Sequence, residues 1–583
     1  MKYNFTWKKC HRWFGLVLSV FMLVFCVSGI ILNHREVFSG CEVSRKWLPA
    51  SYHIKNFNNG VVKGTVVKNS GSLAISEGFS DSILVYGCAG VFLTDYQLST
   101  WQDFNAGLPK SIDERNVRHL VQARDGSLWC AALRDVYRYD ENAQQWKKVE
   151  LPGNEERIMD VALGKNSIQV VALTRSRIFE ITPIASNIDV SESPSSLASS
   201  AKGGVSEKSP DIFEKKSGGF SEKVGTFLGK YRVEAKIIPA PKNYEPKTTL
   251  FKLVWHLHSG EFFGLPGKLV VDAIALVLIV LSITGILLFI LPYGIRRAKK
   301  LAAKARMKRL GKQFAWNMKW HNKIGYVTIV LTLWIAITGM CLRPPLMVPL
   351  VLSKLPQAVG EDGNVWQDKL RAIRWDAVQG DWLVSTSEGF LRVDEDFSQA
   401  PKMLPDDECP KLSPMGVTVW ESDGKGGWIV GSFRGIYRWN PVNHSLNQIL
   451  DYFTGKPSEE TSMIPISDNL VCGYSEDFLG GKPLVFDFAK GVEDAKGQAV
   501  ALCNDEPKTS RNEESMSDLI CETAPMSLWN VALELHVGRC YSPFLGPLSD
   551  LFVFLSGLLI TLVLLSGYII SHRRRKKAQA RLR

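Results

Sequence analysis

The chain has 583 residues, of which 45% are hydrophobic, and a formal net charge of +12. This length is enough for roughly three or four ordinary domains. Three short segments hold 22 of the 70 lysines and arginines, and acidic residues outnumber basic ones elsewhere. The positive charge is therefore local, and it gives no support to nucleic-acid binding.

Four stretches with almost no charge are each long enough to cross a membrane as a helix, which takes about 20 residues. They cover residues 14–32, 269–291, 324–342 and 551–570, with Asp272 as their one charged residue. The apolar run of the first stretch is too long for a signal peptide, and no small-residue cleavage site follows it. We therefore interpret it as a retained helix and predict four transmembrane helices.

The basic residues predict the orientation of these helices. Eleven lysines and arginines lie between helices 2 and 3, seven follow Ser571, and four precede or include Arg12. Basic residues beside membrane helices stay in the cytoplasm, so both termini and the 2–3 loop are expected there. Residues 33 to about 265 and 343 to about 547 then lie on the opposite side.

The eleven cysteines show neither a Cys-x-x-Cys motif nor a spacing typical of zinc ligands. Most of them fall in the two large segments outside the cytoplasm, where disulfides are compatible with the redox environment. Cys503 and Cys521 bracket a polar loop and form the first pair to test as a disulfide.

Helices 1 and 3 share one pattern of residues. A histidine is followed by a glycine four residues later and, eighteen residues after the histidine, by the glycine of a Ser-Gly or Thr-Gly pair. The matching residues are His11, Gly15 and Gly29 in helix 1, and His321, Gly325 and Gly339 in helix 3.

Helices 2 and 4 share a second pattern. Each follows a Leu-His-x-Gly run whose histidine, His258 or His536, stands fourteen residues before an aspartate, Asp272 or Asp550. Both helices also contain a Thr-Gly or Ser-Gly pair, at 284–285 and 566–567, which allows close helix packing. We infer a duplicated two-helix unit related by a pseudo-two-fold axis along the membrane normal.

This symmetry predicts two histidine pairs, His11 with His321 near the cytoplasmic face and His258 with His536 near the outer face. A single histidine at a helix end is usually an interfacial side chain. Matched pairs at matched depth instead favour a cofactor site between facing helices. Two axial histidines would complete the coordination of a haem iron, leaving no position for oxygen and suiting electron transfer.

His34 is a fifth candidate cofactor ligand, at the outer end of helix 1. It has no twin, because Pro344 occupies the matching position. Three interpretations stay open: it replaces a member of the outer pair, it lines the substrate surface, or it caps the helix. Asp272 and Asp550 are interpreted as helix caps, with helix packing or indirect contact to haem propionates as alternatives.

The two large segments carry a repeat of their own. A short template of apolar residues ending near an aspartate or asparagine recurs at 90–95, 136–140, 389–394 and 435–440, with weaker copies at 178–181 and 484–487. A period near 45 with about four strands per unit is typical of β-propeller blades. Each half has roughly three units, so we favour one propeller split between the segments over two separate β domains.

The runs at 11–16 (His-Arg-Trp-Phe-Gly-Leu), 257–261 (Leu-His-Ser-Gly-Glu) and 535–539 (Leu-His-Val-Gly-Arg) resemble the PepSY-associated transmembrane proteins. That family includes iron-regulated inner-membrane proteins and ferric-siderophore reductases of Gram-negative bacteria. The resemblance covers the four helices and their flanks, and neither soluble segment shows a PepSY module. It implies a four-helix core that holds two b-type haems and carries electrons outward to reduce iron in the periplasm.

The expected fold is a membrane α-helical four-helix core with an all-β periplasmic region. The predicted boundaries are N-terminus and helix 1 (1–34), first periplasmic β half (35–185), flexible linker rich in Ser, Lys, Glu and Gly (186–224), pre-helix segment (225–267), helix 2 (268–292), basic cytoplasmic loop (293–320), helix 3 (321–343), second periplasmic β half (344–530), pre-helix segment and helix 4 (531–571), and basic cytoplasmic tail (572–583).

The expected function is a ferric-chelate reductase of the bacterial inner membrane, with two haem b groups each held by two histidines. Because the chain has no Rossmann or flavin glycine motif, the electron donor would be a quinol or a cytoplasmic reductase. A ferric siderophore or other ferric complex would accept the electrons, and outer-membrane uptake proteins would be partners. The alternatives are an iron- or siderophore-binding or transport protein without redox activity, and a sensor.

Overall fold

The computed structural model describes residues 7–49, 52, 61–68, 82–96, 100–153, 156–183, 226–228, 231–357, 363–410, 416–432, 435–448, 471–478, 481–487, 491–494, 498–500 and 524–582. The chain forms two compact units. The helical unit comprises Met1–Ile54, Glu245–Ala358 and Cys521–Arg583, and the β unit comprises Lys55–Tyr244 and Val359–Ile520. The proposed Cys503–Cys521 disulfide and the linker predicted at 186–224 lie outside the described residues.

The helical unit contains the long apolar helices. Its helices are α1 (Trp7–Asn33), α2 (Arg35–Phe38), α4 (Leu250–Ser259), α5 (Gly264–Lys300), α6 (Lys304–Val327), α7 (Ile329–Cys341), α8 (Met347–Leu352), α9 (Leu528–His536), α10 (Ser542–Leu545) and α11 (Ser549–Leu582), while α3 (Ile112–Arg115) belongs to the β unit. Among the described residues, three helical stretches are long and apolar enough to cross a membrane: Trp7–Asn33, Glu261–Lys300 and Leu551–Lys576. The bent pair α6 and α7 makes a fourth if it forms one span.

The helix predicted at 324–342 is broken at Thr328, where α6 and α7 meet at an angle of 68°. The Thr328 hydroxyl donates to the carbonyl of Ile324 at 2.9 Å, and the Thr332 hydroxyl donates to the carbonyl of Thr328 at 3.1 Å. Such bonds from side chains to the preceding turn compete with the regular backbone ladder and often bend helices. The break places His321 on α6 and the Thr-Gly pair at 338–339 on α7.

The short helices α4 and α9 show the predicted duplication in atomic detail. At the start of α4 the Thr249 hydroxyl accepts from the backbone N–H of Lys252 at 3.2 Å, and at the start of α9 the Ser527 hydroxyl accepts from that of Asn530 at 3.1 Å. Both are N-caps. Gly260 (φ 80°) follows α4 in the left-handed conformation. The Gly of each Leu-His-x-Gly run therefore turns the chain from a histidine-bearing helix into a membrane helix.

Short antiparallel strand pairs join distant parts of the helical unit. β1 (Glu42–Val43) pairs with β28 (Met526–Ser527), and β15 (Lys247–Thr249) pairs with β16 (Lys354–Pro356). The second pair joins the segment directly before α4 to the segment directly after α8.

The described part of the β unit contains six antiparallel sheets. In chain order they are sheet 1, β2 (Val62–Lys68), β3 (Ser82–Gly87), β4 (Gly90–Asp95) and β5 (Trp101–Asp103); sheet 2, β6 (His119–Gln122), β7 (Leu128–Ala131), β8 (Val136–Asp140) and β9 (Gln145–Val149); sheet 3, β10 (Ile158–Leu163), β11 (Val170–Thr174), β12 (Ile178–Pro183), β13 (Thr226–Leu228) and β14 (Tyr231–Lys236); sheet 4, β17 (Leu370–Asp376), β18 (Asp381–Thr386), β19 (Gly389–Val393) and β20 (Lys402–Met403); sheet 5, β21 (Val419–Ser422), β22 (Trp428–Ser432), β23 (Gly435–Asn440) and β24 (Ser445–Gln448); and sheet 6, β25 (Val471–Ser475), β26 (Leu484–Asp487) and β27 (Gly491–Asp494).

The repeated template of the sequence falls on corresponding strands. Its copies form the third strand of the first five sheets, namely β4, β8, β12, β19 and β23. The weak copy at 484–487 instead forms β26, the second strand of sheet 6, and the third strand begins at Gly491. Among the described residues, the copy predicted at 484–487 therefore lies one strand earlier in its sheet than the other copies.

Neighbouring sheets pack through apolar side chains. Separate buried clusters join sheet 1 to 2, sheet 2 to 3, sheet 3 to 4, sheet 4 to 5 and sheet 5 to 6. Sheet 6 also contacts sheet 1, because the Thr65 and Ser475 hydroxyls are 2.6 Å apart and the Cys472 thiol lies 3.6 Å from the carbonyl of Val62. Sheets from both chain segments thus belong to one unit.

Candidate cofactor site

The four histidines singled out in the repeat lie in the two expected pairs. The ring centroids of His11 (α1) and His321 (α6) are 6.2 Å apart. Those of His258, in the last turn of α4, and His536, the last residue of α9, are also 6.2 Å apart. Four different helices therefore supply the four rings, two rings to each pair.

Each imidazole is anchored through Nδ1 by a hydroxyl from a Ser-Gly or Thr-Gly pair on another helix. The four contacts are His11 with Ser566 at 3.0 Å, His321 with Thr284 at 2.8 Å, His258 with Thr338 at 3.0 Å and His536 with Ser28 at 3.0 Å. The sequence predicts only close helix packing for the pairs at 284–285 and 566–567. Their constant position in the repeat was the signal that could have identified the hydroxyls as histidine partners.

The hydroxyls also determine the tautomer of each histidine. Each donates its own proton to a carbonyl of its own helix: Ser566 to Val563 at 2.7 Å, Thr284 to Val280 at 2.6 Å, Thr338 to Trp334 at 2.8 Å and Ser28 to Val24 at 2.7 Å. A hydroxyl that has given its proton away can only accept, so Nδ1 must carry the proton of the imidazole. The lone pair of each neutral ring then lies on Nε2, which is the form that ligates a metal.

The glycine of each Ser-Gly or Thr-Gly pair leaves room for the same ring. A Cβ atom would lie 2.9 Å from His11 Cε1 at Gly567, 2.8 Å from His258 Cε1 at Gly339, 3.3 Å from His536 Cε1 at Gly29 and 3.6 Å from His321 Cε1 at Gly285. Contacts below 3 Å are closer than a carbon atom tolerates without a shift of its neighbour. The glycines at 339 and 567 are therefore required for the observed ring positions.

The spacing of the rings fits one metal ion between the two histidines of each pair. An imidazole nitrogen binds a transition metal at about 2 Å, and the size of the rings then places their centroids about 6 Å apart. Within the residues that the structure describes, no group of three or more His, Cys, Asp or Glu side chains gathers around one point. Two histidines alone suit a haem, whose macrocycle supplies the remaining ligands of the iron.

An apolar core fills the helical unit between the levels of the two pairs. Cys26, Ile274 and Leu278 are buried there, and they pack against partly buried side chains: Met22, Ala275, Ile279, Leu281, Ile335 and Leu564. The outer pair is further covered by Phe25, whose ring centroid is 5.9 Å from that of His536. Such surroundings exclude water and suit a large hydrophobic cofactor better than the path of a hydrated ion.

Asn317 is a polar residue near the inner pair that the sequence analysis missed. It is buried on α6, one turn before His321, and its Nδ2 donates to the carbonyl of Thr284 at 2.8 Å. Its Oδ1 is buried and has no hydrogen-bond partner among the described residues. Asn317 thus reinforces the backbone at the Thr-Gly pair that holds His321.

His34 is not part of the outer pair. Its Nε2 lies 2.8 Å from Oδ2 of Asp272, and Asn33 Nδ2 donates to Oδ1 of the same carboxylate at 2.9 Å. The interpretation of Asp272 as a helix cap is wrong, since it lies inside α5, which begins at Gly264, and links α5 to the end of α1. His256, two residues before His258, lies 4.0 Å from Glu261 and takes no part in either pair.

The comparisons with known proteins agree with the duplicated pattern. The sequence profile of the PepSY-associated TM region matches the chain twice, at residues 4–291 and 289–575. No curated protein matches. Two solved extracellular domains from B. thetaiotaomicron show a weak likeness. One belongs to a putative one component system (10% identity, covering 74% of this chain and 32% of that one, TM-score 0.32). The other belongs to a putative hybrid two component system (9% identity, covering 79% of this chain and 40% of that one, TM-score 0.32).

The chain spans less than half the length of these two solved chains. The double match, by contrast, extends over both helix pairs and both inserted segments. The chain is a membrane protein that belongs to the PepSY-associated transmembrane family.

Proposed function

We propose that the chain is an inner-membrane electron-transfer protein that binds two b-type haems and reduces a periplasmic ferric complex, such as a ferric siderophore, for iron acquisition. The observation that carries this proposal is the pairing of His11 with His321 and of His258 with His536, with a hydroxyl beside Nδ1 of every ring. Bound in these pairs, haem would supply one-electron transfer with no open position for oxygen.

The chain's own residues would hold the cofactors in place. The hydroxyls of Ser28, Thr284, Thr338 and Ser566 orient the four rings. His11 and Ser28, which mark the two levels on α1, are 17 residues apart, which corresponds to about 25 Å along a helix. This distance supports one pair near each face of a membrane.

The proposed orientation follows from the basic segments. Both termini and the loop around α6 would be cytoplasmic, and the β unit would be periplasmic. Reporter fusions test this arrangement: alkaline phosphatase joined at residue 153 should be active, whereas green fluorescent protein joined at residue 583 should fluoresce. Inactive alkaline phosphatase at residue 153 together with non-fluorescent protein at residue 583 would contradict the orientation.

We propose that the β unit is a single six-bladed propeller built from both chain segments. Six sheets of similar strand order, with each sheet packed on the next and sheet 6 in contact with sheet 1, support this arrangement. Since a propeller positions loops from all its blades around one axis, it would offer a surface on which a ferric complex can be held.

The deciding experiment is an absorption spectrum of the purified protein, oxidised and then reduced with dithionite. We expect a Soret shift and a sharp α-band, each reduced by about half in His258→Ala and in His321→Ala, since each variant removes a ligand of one pair. His256→Ala is the matched control and should leave the spectrum unchanged. A colourless preparation that remains folded would refute the haem proposal.

The acceptor is tested with the same material. Protein reduced under nitrogen and separated from dithionite should be reoxidised on adding ferric citrate, with one ferrous ion formed per electron released. Ferrozine absorbance reports the ferrous ion. Haem spectra that stay reduced in the presence of several ferric complexes would contradict the reductase proposal while leaving haem binding intact.

A further inference from the structure

Four cationic side chains gather at one end of the first strands of the β unit. Lys63 lies on β2, Arg118 directly precedes β6, Arg371 lies on β17, and Arg175 lies in the turn between β11 and β12. Lys63 Nζ contacts the carbonyl of Val117, the residue before Arg118, at 3.3 Å. The backbone N–H of Leu370, the residue before Arg371, donates to the carbonyl of Arg175 at 2.9 Å. The charges of Arg175 and Arg371 also act on Arg118. All four residues are partly buried.

The pairing of the strands explains why these residues meet. Lys63 and Arg371 each stand at an irregularity near the start of the first strand of their sheet, where the register with the second strand shifts. Arg118 has a corresponding place, since its backbone N–H donates to the carbonyl of Ala131, the residue that pairs with His119, at 2.7 Å. Bulges of this kind redirect a side chain out of the regular alternation.

Two of these cations, Lys63 and Arg118, have no compensating carboxylate among the described residues. Lys63 Nζ donates to Oδ1 of Asn116 and to the carbonyl of Val117 at 3.3 Å, both of which are neutral acceptors. Within the described chain neither Lys63 nor Arg118 has a carboxylate partner, and Nε of Arg118 is buried without a hydrogen bond. Asp368 contacts the group, but it is paired with Arg175 at 2.7 Å.

The repulsion and the burial of these cations both act on their pKa values. Burial, assisted by repulsion from Arg118, lowers the pKa of Lys63 to about 8. Burial and the nearby Arg175 lower the pKa of Arg118 to about 10. Desolvated charge of one sign is costly unless a counter-charge compensates it, so this arrangement marks a candidate site for an anion.

The next polar layer does not supply that counter-charge. Asp160 is within electrostatic reach of Arg118, but its Oδ2 accepts from Arg374 Nη1 at 2.6 Å and from the backbone N–H of Ile373 at 2.9 Å. Oδ1 of Asp160 lies 3.2 Å from Nδ1 of His119. Both carboxylate oxygens are therefore engaged within the deeper layer.

We propose that Lys63, Arg118, Arg175 and Arg371 form the binding site for the acceptor, and that the acceptor is an anionic ferric chelate whose iron is held by carboxylate oxygens. The inference rests on the proposed reductase function, since it names the substrate class of that reaction. Arginine forks bind carboxylates through paired hydrogen bonds, and Lys63 adds a point charge. A neutral or cationic chelate would gain nothing from this group.

The test uses the full-length protein in detergent micelles and gallium(III) citrate, which carries the same ligand around an ion that is not reduced. Isothermal titration calorimetry should show binding that weakens as sodium chloride is raised, because the contacts are ionic. Loss of one charged hydrogen bond predicts about tenfold to hundredfold weaker binding in Arg118→Gln, and Lys63→Met should act in the same direction.

Two controls separate a specific site from a general charge effect. Arg118→Lys keeps the positive charge and should retain most of the affinity. Lys148→Gln removes an exposed cation on β9, paired with Asp135 at 2.8 Å, and should bind as the parent does. Each variant should keep the melting transition of the parent, and where one does not, the comparison of Arg118→Gln with Arg118→Lys decides.

Three results would overturn the site: unchanged affinity in both Arg118→Gln and Lys63→Met, an equal loss in Lys148→Gln, or citrate or phosphate alone binding as tightly as gallium citrate. The last would show a site for a free anion. Failure of the reductase function is distinguishable, because a colourless protein that binds gallium citrate through Arg118 retains the site. If the Arg118→Gln variant binds haem and is reoxidised by ferric citrate at the parent rate, the reductase function is retained and the proposed site is refuted.

Discussion

Hydroxyls that donate to their own helix leave a neighbouring imidazole no choice of tautomer. Thr338 illustrates this: its proton goes to the carbonyl of Trp334, so its oxygen accepts from Nδ1 of His258. Groups that orient a metal ligand in this way typically contribute about tenfold to a hundredfold to affinity for the metal.

Replacing Thr338 by Val should therefore weaken the binding of the proposed haem by the outer pair. We expect haem to leave this pair about tenfold to a hundredfold faster, with no change in the number of ligands. Transfer of haem to apomyoglobin measures it. Thr332→Val is the matched control, since Thr332 is buried on the same helix and its hydroxyl donates to the backbone carbonyls of Thr328 and Ile329. Equal rates for the two variants would contradict the role of Thr338.

The glycines beside the histidines should differ in their tolerance of alanine. A Cβ at residue 339 would lie 2.8 Å from His258, whereas a Cβ at residue 285 would lie at an ordinary 3.6 Å from His321. Gly339→Ala should therefore displace His258 and abolish the spectrum of the proposed outer haem, while Gly285→Ala should leave the proposed inner haem in place. Absorption spectra of the two variants test this order, and a reversed order would be evidence against the ring positions.

At the scale of the elements, α1 is connected to α5 by a polar cluster near their ends. The carboxylate of Asp272, inside α5, accepts a hydrogen bond from Asn33 Nδ2 at 2.9 Å and lies 2.8 Å from His34 Nε2. An ionisable residue inside a membrane helix is costly and is usually paired, as it is here. The cluster explains the charged residue inside α5 without a cofactor.

Removing this connection should affect stability and leave the haem spectrum unchanged. Asp272→Leu leaves the polar groups of Asn33 and His34 without their acceptor, which predicts a loss of about 1–3 kcal/mol. Unfolding in mixed detergent micelles measures the loss, and Asp272→Asn, which keeps an acceptor, should lose less. His34→Ala with a diminished α-band would show instead that His34 is a haem ligand.

At the scale of the whole molecule, the two chain segments of the β unit depend on each other. Asp160 on β10 belongs to the first segment, and Arg374 on β17 belongs to the second; their side chains meet at 2.6 Å. Burial alone would raise the pKa of Asp160, but Arg374 and His119 lower it below its ordinary value. The segments are thus joined by a buried ion pair as well as by apolar packing.

This pair predicts an acid-sensitive β unit. Because the folded state lowers the pKa of Asp160, its contribution is complete above the ordinary carboxyl value near 4 and is lost as the pH falls through the folded value. Asp160→Asn should lower stability by about 3–5 kcal/mol at pH 7, since it leaves Arg374 uncompensated, and should flatten the decline below about pH 4. Thermal melts from pH 3 to pH 7 test both effects. An unchanged acid profile would show that Asp160 is not the responsible group.

Much of the architecture was predictable because it depends on local composition. Apolar stretches and basic flanks identify membrane helices, and the comparison with known proteins confirms the predicted family. The constant spacing of His11 and His321 from later glycines, and of His258 and His536 from later aspartates, predicted which rings would meet. The split propeller, the haems and the orientation stay predictions that the proposed experiments address.

What only the tertiary structure decided are contacts that depend on how helices and strands are rotated against distant partners. Thr284 and His321 are 37 residues apart, and Ser566 and His11 are 555 apart, so no local pattern assigns one hydroxyl to one ring. The break at Thr328, the pairing of His34 with Asp272 and the meeting of Lys63 with Arg118 have the same origin. Composition and spacing determined the elements and the candidate ligands, while the orientation of side chains across elements determined what holds them.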